Sequence, residues 1–215
     1  MTNKNLTISV FFLILFKLTA VCFTSFGLYG DEAQYWLWSQ SPDLGYYSKP
    51  PLLAWFLRGY TSLLGDSFVS LKTFPIVIYL FISFAIYRLC MSLSFNKNSS
   101  YLCAISFIII PAASLSSFLI STDLLLLLFW AISMGVLLKT INTPSAFNFL
   151  LLGLFLGLAF LAKYAAIYFL LSLLLLLIID KKIFVVFKKN LIGVFVFLLS
   201  FLLVLTPNIW WNLNN

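Results

Sequence analysis

The sequence predicts an all-α membrane protein with about seven transmembrane helices, plus two short surface helices in its first extracytoplasmic loop. Three observations carry this expectation. Apolar residues make up 63% of the 215 and charged residues 9%, with a mean hydropathy of +1.09, whereas soluble domains are about one-quarter charged. The long Leu/Phe/Ile runs show no period-two alternation, so they read as helices rather than barrel strands. One polar segment, GDEAQYWLWSQSPDLGYYSKPPL from Gly30 to Leu52, interrupts the apolar chain near its start.

The expected spans run over 6–28, 69–92, 100–120, 122–141, 147–163, 164–180 and 191–207. They place the chain in a single transmembrane domain, 1–215. Residues 1–28 hold the first span, 29–68 an extracytoplasmic loop, 69–207 the further spans and 208–215 an extracytoplasmic end. The first span reads as a retained helix, because Lys17 interrupts its apolar run and no small-x-small cleavage site follows. Val21 is too bulky for a lipoprotein signal at Cys22. A charge at this depth needs a reason. For Lys17 the choices are snorkelling, pairing with a neighbouring side chain, or contact with an anionic headgroup.

Within the loop, Gly30 opens a turn and Asp31-Glu32 occupy the first turn of a helix, where negative charge suits the macrodipole. Tyr35, Trp36 and Trp38 follow on neighbouring faces. Pro42, Gly45 and Tyr46-Tyr47 break the helix into an irregular stretch. Pro50-Pro51 then start a second helix over Leu52–Leu64, where Trp55, Phe56 and Tyr60 mix with Arg58 in an interfacial pattern. Lys49, leading into two prolines, is held extended.

The net charge of +7 follows the membrane, not a nucleic acid. With the N-terminus inside, Lys4, Arg88, Lys97, Lys139, Lys181, Lys182, Lys188 and Lys189 fall on the cytoplasmic side. Asp31, Glu32, Asp43, Asp66 and Asp123 fall on the other. This is the positive-inside pattern, and it makes the Gly30–Asp66 segment extracytoplasmic. The loop DKKIFVVFKKN is basic and aromatic, suited to an anionic leaflet. Cys22, Cys90 and Cys103 sit in apolar stretches without metal-ligand spacing and read as small hydrophobes. No metal site or soluble domain is expected.

Several residues carry two readings. Asp31 and Glu32 are either a helix-start device or working acids. A carboxylate partly desolvated at a bilayer surface becomes a better proton acceptor, and the aromatic cluster and Lys49 favour the second reading. Lys49 is a cation that would neutralise a phosphate leaving group. Asp123, at the start of a span after Ser121-Thr122, is either a helix-end charge or a cavity residue. Lys163, at the hinge in LAFLAKYAAIY, is either an interfacial anchor or a phosphate contact.

In order along the chain stand GDEAQYWLWS at Gly30–Ser39, KPPL at Lys49–Leu52, GDS at Gly65–Ser67, Thr122-Asp123 and AKY at Ala162–Tyr164. This series resembles the lipid-linked-sugar glycosyltransferases of the protein O-mannosyltransferase and aminoarabinose transferase superfamily. The closing PNIWWNLNN resembles a P-x-x-W-N stretch late in the membrane region of such enzymes. Gln34 stands where some relatives carry arginine or tyrosine. Lys49 before Pro50 is closer to the aminoarabinose branch than to the histidine-proline-proline branch.

The resemblance implies a polytopic GT-C-like fold in the inner membrane, working on the outer face. It implies a sugar donor on a polyprenyl phosphate, an envelope glycan or lipid A-type glycolipid as acceptor, and single displacement with inversion. No cofactor or metal is implied. Asp31 would be the general base or the acceptor-orienting carboxylate, with Glu32 supporting it. Lys49, Lys163 and Arg58 would meet the donor phosphate, and Gln34, Tyr35, Trp38 and Asp123 would line the cavity. Family members are longer, so a separate C-terminal half is an expected partner. The competing readings are an inactive truncated remnant of such an enzyme and a small transporter. The second needs Gly/Pro-broken spans meeting at mid-membrane.

Overall fold

The structure, a computed structural model, describes residues 3–23 and 27–215. Residues 24–26, inside the first expected span, lie outside the described residues. The described residues form α-helices joined by short connections, with one isolated bridge between Tyr46 and Lys49. Packing divides the chain into two compact units. The first comprises Met1–Pro42 with Ala54–Leu124, and the second Asp43–Leu53 with Leu125–Asn215.

The first unit holds α1 (Asn3–Phe23), α2 (Gly30–Gln40), most of α3 (Leu52–Leu64), α4 (Phe68–Ser92), α5 (Lys97–Ile109), α6 (Pro111–Ser116) and the first residues of α7 (Thr122–Asn142). The second holds the rest of α7, then α8 (Ala146–Ala162), α9 (Ile167–Ile179), α10 (Lys181–Lys189) and α11 (Leu191–Asn214). Of these, α4, α7 and α11 are long and apolar enough to cross a membrane; Val10–Phe23, α8 and Tyr164–Ile179 are shorter apolar helices.

The two loop helices form where the sequence placed them, α2 with Asp31 and Glu32 in its first turn and α3 directly after Pro50-Pro51. Two other elements differ from expectation. The run at 100–120 is not one helix, because Ile110 is extended (φ −51°, ψ 128°) between α5 and α6. Pro111 has no N–H and pushes the residue before it out of helical backbone. The helix starting at Leu191 does not stop near 207. It runs through Pro207 to Asn214, and Asn212, Asn214 and Asn215 return their amides to the carbonyls of Asn208, Trp210 and Trp211.

The break at Pro111 has a use. Lys17 on α1 is 3% exposed; its ammonium donates to Ser117 Oγ (2.6 Å) and to the Ser114 carbonyl (3.2 Å). These groups lie at the end of α6, where helix carbonyls lack intrahelical donors. Lys17 also lies over the Phe118 ring, 5.5 Å from its centre. The pairing reading of this lysine is the one the structure realises.

The loop helices are fixed by a second buried cation. Glu32 is 2% exposed and Lys72, on α4, 6%. The Lys72 ammonium donates to Glu32 Oε1 (2.8 Å) and Oε2 (2.6 Å) and to the Phe118 carbonyl (3.3 Å). The remaining capacity of the carboxylate is taken by the Tyr29 amide on Oε2 and the Ile120 amide on Oε1, both at 2.9 Å. One ion pair therefore ties the start of α2, the first turns of α4 and the turn between α6 and α7. A second fastening lies at the surface. Trp36 Nε1 and Gln40 Nε2 both donate to Asp66 Oδ1 at 3.3 Å. Gly65 makes the turn before Asp66 with φ +83°, a conformation that costs a side-chain-bearing residue energy.

In the second unit α8 and α11 pack closely through glycines. A Cβ on Gly153 would run into Ser200 Oγ and the Phe197 carbonyl, one on Gly157 would meet Val204, and one on Gly193 would meet the Phe149 ring. Such close approach of small residues is a common way for helices to associate within membranes. It fixes the course of α11 up to its polar end.

Breaking a buried pair by removing one partner costs roughly 3–5 kcal/mol, whereas replacing both groups together costs much less. Lys72→Met and Glu32→Gln should each lower the unfolding midpoint sharply in detergent micelles, and the double variant should recover part of the loss. Simple addition of the two losses would show that the residues act independently.

Candidate functional site

In the first unit three of the sequence-predicted residues, Asp31, Trp38 and Asp123, interact with Tyr35. Because α2 begins at Gly30, Asp31 and Glu32 occupy successive positions on its first turn and point differently. Glu32 turns inward to Lys72, whereas Asp31 is exposed and makes no ion pair among the described residues. Gln34 is exposed, and Tyr35 is buried with its ring 5.7 Å from that of Trp38. The Tyr35 hydroxyl bonds the side chain of Thr122, at the start of α7, and feels the charges of both Asp31 and Asp123. Two exposed carboxylates from distant parts of the sequence thus act electrostatically on one phenol. Arg58 is exposed, and its guanidinium donates to Gln40 Oε1 at 3.5 Å, on the Trp36–Gln40–Asp66 fastening.

Burial pushes the Tyr35 phenol above its ordinary value of 10.0, the Asp31 and Asp123 charges push the same way, and the Thr122 bond opposes them. Tyr35 is therefore a proton donor throughout the neutral range.

The second unit holds two of the predicted cations, Lys49 and Lys163. Lys49 is fixed through its backbone: its amide donates to the Tyr46 carbonyl (3.3 Å), and its carbonyl accepts from the Tyr46 amide (3.2 Å). Its side chain is half-buried. Lys163 ends α8 in an extended conformation (φ −159°, ψ 132°), just before a 3-10 turn over Tyr164–Ala166. Asn208 on α11 joins these segments: it accepts from the Tyr164 hydroxyl (3.0 Å) and donates to the Leu44 carbonyl (2.9 Å). Trp211 Nε1 donates to Asp43 Oδ2 (3.0 Å), and a Cβ on Gly45 would lie 2.5 Å from the Trp211 ring. The Asp43 amide donates to the Tyr46 hydroxyl (3.1 Å); burial, more than the Asp43 charge, raises that phenol too. The lysine loop and the lysine hinge thus hang on one network centred on Asn208.

Sequence reasoning missed Lys72, Asn208 and the Tyr164 hydroxyl. Lys72 carried a usable signal, a lone charge in the apolar run FVSLKTFPIV, the same signal noted at Lys17. Asn208 lies in the noted PNIWWN stretch, but nothing in one sequence pairs it with Leu44 or Tyr164.

A phenol whose value is raised by folding contributes stability that is present below the ordinary value and lost as pH rises through the raised one. In alkaline titration followed by phenolate absorbance, Tyr35→Phe should therefore remove a late-titrating component. Loss of an early component instead would contradict the burial argument.

A family model described as dolichyl-phosphate-mannose-protein mannosyltransferase matches residues 48–211. That stretch runs from the Lys49 loop through Lys72, Asp123 and Lys163 to Asn208 and Trp211. The lipid A galacturonosyltransferase RgtD of Rhizobium johnstonii is 32% identical over 202 residues, which is 94% of this chain and 42% of that protein. The chain thus spans less than half the length of this relative. No solved structure matches it. By the family match over most of its length and the identity to this relative, the chain belongs to the dolichyl-phosphate-mannose-protein mannosyltransferase family.

Proposed function

We propose that the chain is the part of a membrane glycosyltransferase that moves a sugar from a polyprenyl-phosphate donor to an acceptor on the outer face of the inner membrane. The observation that carries this reading is the division of labour at the start of α2. Glu32 is consumed by Lys72 and two backbone amides, and this leaves its neighbour Asp31 rigidly placed and exposed. The relative's name favours a lipid A-type acceptor and a hexuronosyl donor.

In the proposed reaction an acceptor oxygen attacks the anomeric carbon, the bond from that carbon to the phosphate oxygen breaks, and polyprenyl phosphate leaves. A hydroxyl acceptor gives its proton to the Asp31 carboxylate. Glu32 acts as a positioning residue through Lys72. Lys49 and Lys163, with Arg58 as a further cation, balance the charge on the leaving phosphate, which is where such stabilisation accelerates displacement. Tyr35, held protonated, offers a hydrogen bond beside Asp31; Gln34, Trp38 and Asp123 line the acceptor side. No metal or cofactor enters this scheme.

The membrane arrangement proposed with it is GT-C-like. The apolar helices form about seven spans, with the α5–α6 pair counting as one and α2 and α3 on the outer surface. The polypeptide that completes the relative's length would act with this chain.

Two measurements test the reading. Membranes containing the chain, alone and with a separately supplied C-terminal half, are assayed for transfer from polyprenyl-phosphate-linked hexuronic acid to lipid A. Asp31→Asn should lower the rate by roughly 100-fold or more and Lys49→Ala by about 100-fold, with Lys49→Arg less affected. No transfer by the unmodified chain in either arrangement would defeat the enzyme reading. For orientation, a reporter active only outside the cytoplasm should be active when fused at Ser41 and silent at Asn98. The reverse pattern would overturn the assignment of faces.

A further inference from the structure

The expected basic connection after the sixth apolar run is a helix with a fixed face. Asp180 caps α10 by accepting from the amides of Lys182 (2.8 Å) and Ile183 (3.3 Å), so the acid nearest to these lysines is turned into the helix start. Phe187 is buried and meets the Phe149 ring edge-on, with centres 5.3 Å apart. That contact sets the rotation of α10 and leaves Lys181, Lys182, Lys188 and Lys189 all exposed. Between α9 and α10 lies an open apolar groove of about 480 Å³, lined by Leu174, Leu177, Ile178 and Phe184 with Lys181 at its rim.

We infer that this groove is a binding site for an anionic glycerophospholipid of the surrounding bilayer. One acyl chain lies along Leu174, Leu177 and Ile178, and the headgroup phosphate sits against Lys181 and Lys182. The charge decides the occupant. Four lysines face one aspartate that is already engaged, so a zwitterionic headgroup gains little here and an anionic one gains a great deal. The groove supplies what a bare basic helix lacks, an apolar channel that ends beside the cation and so recognises chain and headgroup together. Lys188 and Lys189, at the far end of α10, attract further anionic lipid. Neither Asp31 nor Lys49 takes part, and the site stands whether or not the chain transfers sugar.

The test uses the full chain in mixed micelles with phosphatidylglycerol or phosphatidylcholine carrying the same photoreactive acyl chain, and maps the labelled peptides. Labelling of residues 174–184 by the phosphatidylglycerol probe is expected to exceed that by phosphatidylcholine several-fold. Lys181→Ala and Lys182→Ala should each weaken it by roughly five-fold, the worth of one lysine at an anionic surface. Leu177→Trp, which fills the groove and keeps every charge, should also reduce it while helix content stays unchanged. Equal labelling by the two lipids, or labelling that survives the lysine and tryptophan substitutions, would overturn the inference. So would displacement of the probe by a polyprenyl phosphate far more readily than by unlabelled phosphatidylglycerol, because the groove would then belong to the donor.

Discussion

A carboxylate and an ammonium buried beside each other are stable only when every remaining donor and acceptor is satisfied. Glu32 and Lys72 meet that condition with two backbone amides and one carbonyl. Much of the first unit depends on it. The Tyr29 amide fixes where α2 begins, the Ile120 amide fixes the approach to α7, and Lys72 fixes both relative to α4. Asp31 stands next to a carboxylate that the network has claimed, and it is left exposed, as is Asp123 beyond Ile120. Tyr35 feels both charges because α2 and the start of α7 are held to the same point.

The second unit uses a hydrogen-bond network for a comparable purpose. A lysine proposed to meet a phosphate gains from a rigid backbone, and the Lys49 loop has no helix to supply one. Its rigidity comes from Pro50, from the bridge to Tyr46, and from Asn208 and Trp211 on α11. That helix is itself positioned by the glycine contacts with α8. A change at Gly153 would therefore reach the loop through the course of α11, with no contact to Lys49 at all. An amide suits Asn208 because it must accept from a phenol and donate to a carbonyl at once, which neither aspartate nor leucine can do.

What the sequence revealed follows the range of each signal. Helix starts at Gly30 and Leu52 were legible because glycine, paired acids and paired prolines act within a few residues. The apolar spans were legible because hydropathy is summed over about twenty residues. The break at Ile110 was hidden in an apolar run whose only mark is Pro111. The continuation of α11 past Pro207 was hidden because Asn208, Asn212 and Asn214 read as a polar loop, although each makes bonds compatible with helix. The partners of Glu32, Lys17 and Asn208 lie 40 or more residues away, and no local pattern specifies such pairings.

The two roles given to adjacent acids follow from this difference in range. In the sequence Asp31 and Glu32 are interchangeable helix-start carboxylates, and both were natural candidates for proton transfer. Successive residues on a helix are turned by about 100°, so a helix held at a surface can bury one of two neighbours and expose the other. Lys72 decides which. Its cation is on the side of Glu32, and a carboxylate that accepts from an ammonium and two amides has no lone pair directed at a substrate. The charge that remains available is on Asp31, and its placement is as rigid as the ion pair next to it. The paired acids at the start of α2 thus become one fastening and one exposed carboxylate, a division made by a lysine 40 residues further along the chain.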